Sequence, residues 1–216
     1  MKYYKKTKII SFLLISLTLI SCGSVPVNLQ VAKKNVMGYY ESDRYSNDLK
    51  KIISNAEDEI NRLELKSNSA VVFDVDETTL SNYASIKKIY FGYDPVVWDN
   101  WINEGKAPAI PEVKQFYDFV IMKKIKAIFL SSRKGYQYKV TYTNLSNAGY
   151  AAFDTLILKD NSDSGLSSLE FKSKQRELLS KKGFDIIAVI GDQQSDMEGK
   201  FHGLQIKLPN YLYIIE

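Results

Sequence analysis

Apolar residues recur along this chain in two rhythms. Leu49, Ile52, Ile53, Ala56, Ile60 and Leu63 fall at helical spacing and predict an amphipathic helix. Residues 70–75, Ala-Val-Val-Phe-Asp-Val, then form a short β-branched run, which reads as a buried strand. Pro111 suits the first position of a helix, and Val113, Phe116, Tyr117, Val120 and Ile121 carry its apolar stripe to about Lys123. Residues 126–131 predict a second strand, and a helix over 137–147 is stopped by Gly149. Residues 155–158 give a third strand. Ser167 and Glu170 form a capping box opening a helix that runs to about Lys182 and stops at Gly183. Residues 185–190 are a fourth strand delivering Gly191 and Asp192, and 204–208 and 211–215 are expected as edge strands. Strands alternating with helices in this way predict an α/β fold, a Rossmann-like parallel sheet flanked by helices. Residues 81–108, rich in Tyr83, Tyr90, Phe91, Tyr93, Trp98 and Trp101, are expected to add a small, mostly helical subdomain beside the site.

The first residues follow a different logic. Lys2, Lys5, Lys6 and Lys8 precede an apolar stretch over 9–20, too short to span a bilayer, which takes about 20 residues, but suited to a signal peptide over 1–21. Leu19-Ile20-Ser21-Cys22 resembles a bacterial lipobox, which implies that Cys22 is lipidated and leads the mature protein. The alternative is an ordinary secretory signal beside an incidental free cysteine. Cys22 is the single cysteine, which excludes an intramolecular disulfide and a thiolate metal cluster. Residues 22–36 then read as the lipidated cysteine and a tether, and 37–216 as one domain held at the bacterial cell envelope, extracytoplasmic, on the outer membrane or the outer face of the cytoplasmic membrane.

Removing the leader also changes the charge. The formal net charge of +4 is accounted for by its four lysines, so the mature chain is close to neutral and offers no basic footprint for nucleic acid. With 45% hydrophobic and 12% aromatic residues, the chain has ample material for a core, which excludes disorder beyond the tether.

Chemistry concentrates where strands end. Asp74 and Asp76 leave the first strand, and alternation would send both to one side. Such carboxylates neutralise, pair or bind a cation when buried; the pair could equally cap a turn or the following helix. Ser131, Ser132 and Arg133 end the second strand, and Asp192 and Asp196 follow the fourth, with Lys172 on the helix before it. In a parallel sheet these ends open on one edge, which gathers carboxylates, a hydroxyl and an ammonium around one crevice. Lys172 has Lys159, Lys174, Lys181 and Lys182 nearby and reads as a solvated helix lysine or as an anion contact near a helix start, and Arg133 reads as surface charge or ligand contact. Trp98 and Trp101 read as core or as ring-stacking residues. His202 is the lone histidine, which argues against a histidine nucleophile or a zinc site.

The ordered set Asp74-Val75-Asp76-Glu77-Thr78, Ser131, Lys172, and Gly191-Asp192 with Asp196 resembles the haloacid-dehalogenase-like (HAD) phosphohydrolases, and more closely their bacterial lipoprotein acid phosphatases, the class C or 5′-nucleotidase lipoprotein group. One departure is Ser132, where those lipoproteins usually carry Asn. The resemblance implies the HAD fold and a membrane-anchored phosphomonoesterase acting on small phosphates such as nucleoside 5′-monophosphates. It also implies catalysis by Asp74 as nucleophile and Asp76 as proton shuttle, phosphate binding by Ser131 and Lys172, and Mg²⁺ held by Asp74, Asp192 and the Asp76 backbone. Asp196 would support that shell, and Trp98, Trp101 and Arg133 are candidate substrate contacts. Phosphoryl transfer to an alcohol, or ligand binding by a surface lipoprotein, for example of haem, are the competing functions.

Overall fold

The computed structural model describes residues 26–215. The expected signal peptide and the expected lipidation of Cys22 lie outside those residues. Among the described residues, no helix is long and apolar enough to cross a membrane.

Five parallel strands form the sheet: β1 (Ser69–Phe73), β2 (Lys126–Lys134), β3 (Thr155–Lys159), β4 (Asp185–Gly191) and β5 (Leu204–Lys207), in the order β3-β2-β1-β4-β5. The helices are α1 (Leu29–Tyr40), α2 (Asp43–Asn61), α3 (Tyr83–Lys88), α4 (Pro95–Glu104), α5 (Pro111–Met122), α6 (Tyr138–Asn147) and α7 (Ser168–Lys181). Strand alternation divides the core. Val71, Phe73, Ala127 and Phe129 pack with Leu49, Ile53 and Ile60 of α2 and Val113, Phe116 and Val120 of α5. Ala70, Val72, Ile128 and Leu130 face the other way, onto Phe171 and Leu179 of α7. Helices thus cover both faces, as a parallel sheet requires. The capping box at Ser167 is formed: its hydroxyl accepts from the Glu170 N–H at 3.2 Å, and the Glu170 carboxylate from the Ser167 N–H at 2.7 Å.

Two expectations are corrected. The tether does not extend to residue 36, because α1 begins at Leu29. Asn28 caps it by accepting from the Gln30 and Val31 N–H groups, and good helix formers follow. None of its residues is buried; Tyr39 and Tyr40 dock it through edge and tilted ring contacts with Tyr45. Residues 211–215 do not form an edge strand. Their backbone donors go to side chains instead: Tyr211 N–H to Tyr40 Oη at 3.2 Å, Leu212 to Asn210 Oδ1 at 2.7 Å, and Ile215 to Gln193 Oε1 at 3.1 Å. That segment crosses the carboxyl edge of the sheet. The aromatic-rich stretch supplies α3 and α4 opposite it.

Candidate active site

β1 ends at Phe73, one residue before Asp74. The Asp74 N–H still pairs with the Ile190 carbonyl at 3.0 Å, and the chain then turns back, with the Thr79 and Leu80 N–H groups both donating to Val75 O. Asp76 therefore lies in a turn, outside the strand. Both carboxylates line one cavity of about 420 Å³. Glu77 occupies the left-handed region of backbone space at φ 55°, unusual for a residue with a side chain. Its carboxylate compensates by accepting from the Asn82 backbone N–H at 2.6 Å, Asn82 Nδ2 at 3.1 Å and Tyr213 Oη at 2.7 Å.

The floor of the cavity is ionic. Lys172 Nζ lies 2.5 Å from Asp74 Oδ1 and 2.5 Å from Asp196 Oδ1, and all three residues are buried. Asp192 accepts from Thr78 Oγ1 at 3.1 Å, Gln193 Nε2 at 2.6 Å and Asn210 Nδ2 at 2.5 Å. Asp196 is brought in by the turn after β4, where its second oxygen accepts from the Gln193 N–H at 2.8 Å. A side chain at Gly191 would collide with the Asp196 carboxylate, so glycine is required there for space. Arg176 of α7, fully buried, holds the same loop by donating to the carbonyls of Asp196, Glu198 and Lys200.

Carboxylate oxygens of Asp74, Asp192 and Asp196 lie within 4.8 Å of one another. Burial pushes Asp74 well above the ordinary carboxylate range, although Lys172 pulls it down, and burial with the charges of Asp196 and Glu77 pushes Asp192 up to about 7. For Lys172, burial alone would favour the neutral amine, but Asp196 and Asp74 outweigh it and keep the ammonium charged. With three buried carboxyl groups and one ammonium, full ionisation would leave excess negative charge, which a bound cation would offset. This all-oxygen cluster fits a hard divalent cation.

Ser131 is buried within β2, which runs on to Lys134; it lines the cavity and accepts from the Arg133 N–H at 3.2 Å. Arg133 is not a surface charge. Its guanidinium is buried and grips Asp76 through Nη2 to Oδ1 at 2.6 Å and Nε to Oδ2 at 3.0 Å, with Nη1 on Thr141 at 3.1 Å. Trp98 lines the cavity with Ile86, Ile89 and Val97, facing Leu212 and Ile214. Trp101 does not belong to that lining; its indole N–H donates to Asn82 Oδ1 at 2.7 Å. Sequence reading thus located Asp74, Asp76, Ser131, Lys172, Asp192 and Asp196, which the fold brings together, and missed Glu77, Asn82, Asn210 and Tyr213. Asn82 was hidden by its position as the residue preceding α3, where a capping role is the natural reading, although its side chain makes no cap bond.

A parallel sheet carrying an aspartate behind its central strand, a lysine bridging that aspartate to another, and a cation-ready carboxylate cluster defines a phosphohydrolase of the phosphomonoesterase class. The chain belongs to the HAD superfamily, subfamily IIIB (acid phosphatase), whose family model matches residues 18–216. The stem 28 kDa glycoprotein of Glycine max is 37% identical over 184 residues, spanning 82% of this chain and 72% of its own. Acid phosphatase 1 of Solanum lycopersicum is 36% identical over 148 residues, 67% of this chain and 58% of its own. The class C acid phosphatase from Bacillus anthracis superposes with a TM-score of 0.71 at 25% identity, covering 86% of this chain and 87% of that one.

Proposed function

We propose that this acid phosphatase is a lipid-anchored, Mg²⁺-dependent enzyme of the bacterial cell envelope that hydrolyses small phosphate monoesters, nucleoside 5′-monophosphates among them, through an aspartyl-phosphate intermediate. The observation that carries the reading is the placement of Lys172 between Asp74 and Asp196 on the cavity floor, 2.5 Å from each. Asp74 Oδ forms a bond to phosphorus as the bond to the leaving oxygen breaks, and Asp76 gives that oxygen a proton. A water oxygen then attacks phosphorus, Asp76 takes its proton, and Asp74 leaves as a free carboxylate. Lys172 and Ser131 hold the transferring oxygens, the lysine as a fixed positive charge. Mg²⁺ would be held by Asp74, Asp192 and the Asp76 carbonyl, supported by Asp196, and when bound it offsets repulsion between Asp74 and the phosphate dianion.

The test is phosphate release by the lipid-free chain from Gly23 onward, with Mg²⁺ or a chelator, against nucleoside monophosphates, sugar phosphates and an aryl phosphate. Activity should require the cation, and Asp74→Asn should abolish it. Undiminished Mg²⁺-dependent turnover by that variant would rule out the aspartyl route. Anchoring is tested separately, by the loss of membrane partitioning on Cys22→Ser in the full chain.

A further inference from the structure

The carboxylate of Asp76 is held on two sides, and the second holder is unexplained by phosphate or cation binding. Oδ1 accepts from Arg133 Nη2 at 2.6 Å, from Arg133 Nε at 3.2 Å and from Asn82 Nδ2 at 2.8 Å, whereas Oδ2 has a single protein contact, Arg133 Nε at 3.0 Å. Oδ1 is thus occupied, and Oδ2 is the oxygen left to face a reacting group. The Asn82 side chain is fully buried and its hydrogen bonds are all assigned. Its amide donates to Asp76 and to Glu77 Oε2, and its carbonyl accepts from the Trp101 indole. An indole N–H can only donate, so it must meet the amide oxygen, and the NH₂ group must then face the two carboxylates. Trp101 itself is partly buried against the core, a rigid base for this contact.

We propose that Trp101 and Asn82 are positioning residues for the phosphatase reaction: the Trp101 indole fixes the orientation of the Asn82 amide, and that amide fixes the Asp76 carboxylate with Oδ2 toward the leaving group. The inference rests on the reading of Asp76 as proton donor. Removing the indole donor leaves a buried carbonyl oxygen unpaired, a state costly enough to turn the amide or admit water. A turned amide would set its oxygen against Asp76 Oδ1. Arg133 would then hold the carboxylate alone.

A proton donor matters in proportion to how poor the leaving group is. The experiment therefore compares kcat/KM, which reports the first phosphoryl transfer, for p-nitrophenyl phosphate and for an alkyl phosphate that the unmodified chain turns over. Asp76→Asn establishes the pattern, a large loss on the alkyl ester and a small one on the aryl ester. If Asp76→Asn lacks that contrast, the role given to Asp76 fails and the relay falls with it. Given the contrast, Trp101→Phe and Asn82→Ala should reproduce it in weaker form, about tenfold on the alkyl ester and about twofold or less on the aryl ester, as a fraction of the 10²–10⁴ such catalysis supplies. The double variant should lose no more than Asn82→Ala alone, because both changes act on one carboxylate. Equal losses on both esters, no loss on either, or full additivity in the double variant would each overturn the proposal. If Trp101→Phe fails to fold, the ester contrast of Asn82→Ala decides, since that variant keeps the backbone N–H bond to Glu77.

Discussion

Removing the cation should make the fold sensitive to pH in one direction. Asp192 and Glu77 are almost wholly buried, with exposures of 2% and 3%. Burial, then Asp196 and Glu77, raises Asp192 from 3.8 to about 7; burial, then Asp76, raises Glu77 from 4.5 to about 7. A carboxyl group whose pKa is higher in the folded state stabilises that state while protonated. Its contribution is complete below the unfolded value and lost as pH rises through the folded one. For Asp192 the difference corresponds to about 4 kcal/mol at about 1.36 kcal/mol per unit. Glu77 adds less than its own share, because each carboxylate contributes to the other's shift. In a domain of this size about 1 kcal/mol moves Tm by about 2–4 °C, so the chelated protein should lose about 10 °C between pH 4.5 and pH 8. On the proposed reading Mg²⁺ would bind the ionised carboxylates, and it should restore most of that loss at the alkaline end. Differential scanning calorimetry of the lipid-free chain, in chelator and in Mg²⁺, measures both slopes, and Asp192→Asn isolates one group. A flat Tm in chelator, or an unchanged slope in Asp192→Asn, would refute the reasoning.

Lys172→Met should lower kcat by about 10²–10³ and, above neutral pH, cost about 3–5 kcal/mol by leaving buried carboxylates without their counter-charge; steady-state kinetics and denaturant titration measure the two. Arg176→Met strips a buried donor from three loop carbonyls and should cost about 3–5 kcal/mol in urea unfolding, with weaker Mg²⁺ binding by calorimetric titration. Gly191→Ala drives a methyl group into Asp196 and should weaken Mg²⁺ by about 10–100-fold, as loss of a supporting ligand does. Leu49→Ala, distant from the cavity, should cost about 2–5 kcal/mol and leave kcat unchanged.

The sheet was legible because its strands are buried on both faces and so carry unbroken apolar runs, as residues 70–73 and 127–130 show. The ionic floor was legible because Asp74, Asp192 and Lys172 adjoin those runs or a capped helix. Trp101 and Arg133 were not, because nothing in their neighbours distinguishes an indole aimed at a ligand from one aimed at an amide, or a solvated guanidinium from a buried one. The 211–215 segment, Tyr-Leu-Tyr-Ile-Ile, is a short apolar run like a strand; what diverts it is the set of side-chain acceptors at Tyr40, Asn210 and Gln193, two of which are distant in sequence. Helix α1 was hidden because it buries no residue and lies in a stretch whose small polar start reads as a linker.

The strand order has a kinetic consequence. β1 is central and pairs with both β2 and β4, and the contacts that build the site join residues 98 apart, as in Lys172 and Asp74, or 114 apart, as in Thr78 and Asp192. Closing such spans is slow compared with forming local structure. Asp74 and Asp192 stay in separate, hydrated stretches of chain until β4 docks on β1, so their mutual repulsion falls on that late pairing. A cation that recognises only the completed cluster then acts by slowing unfolding, and it leaves the rate at which the sheet assembles almost untouched.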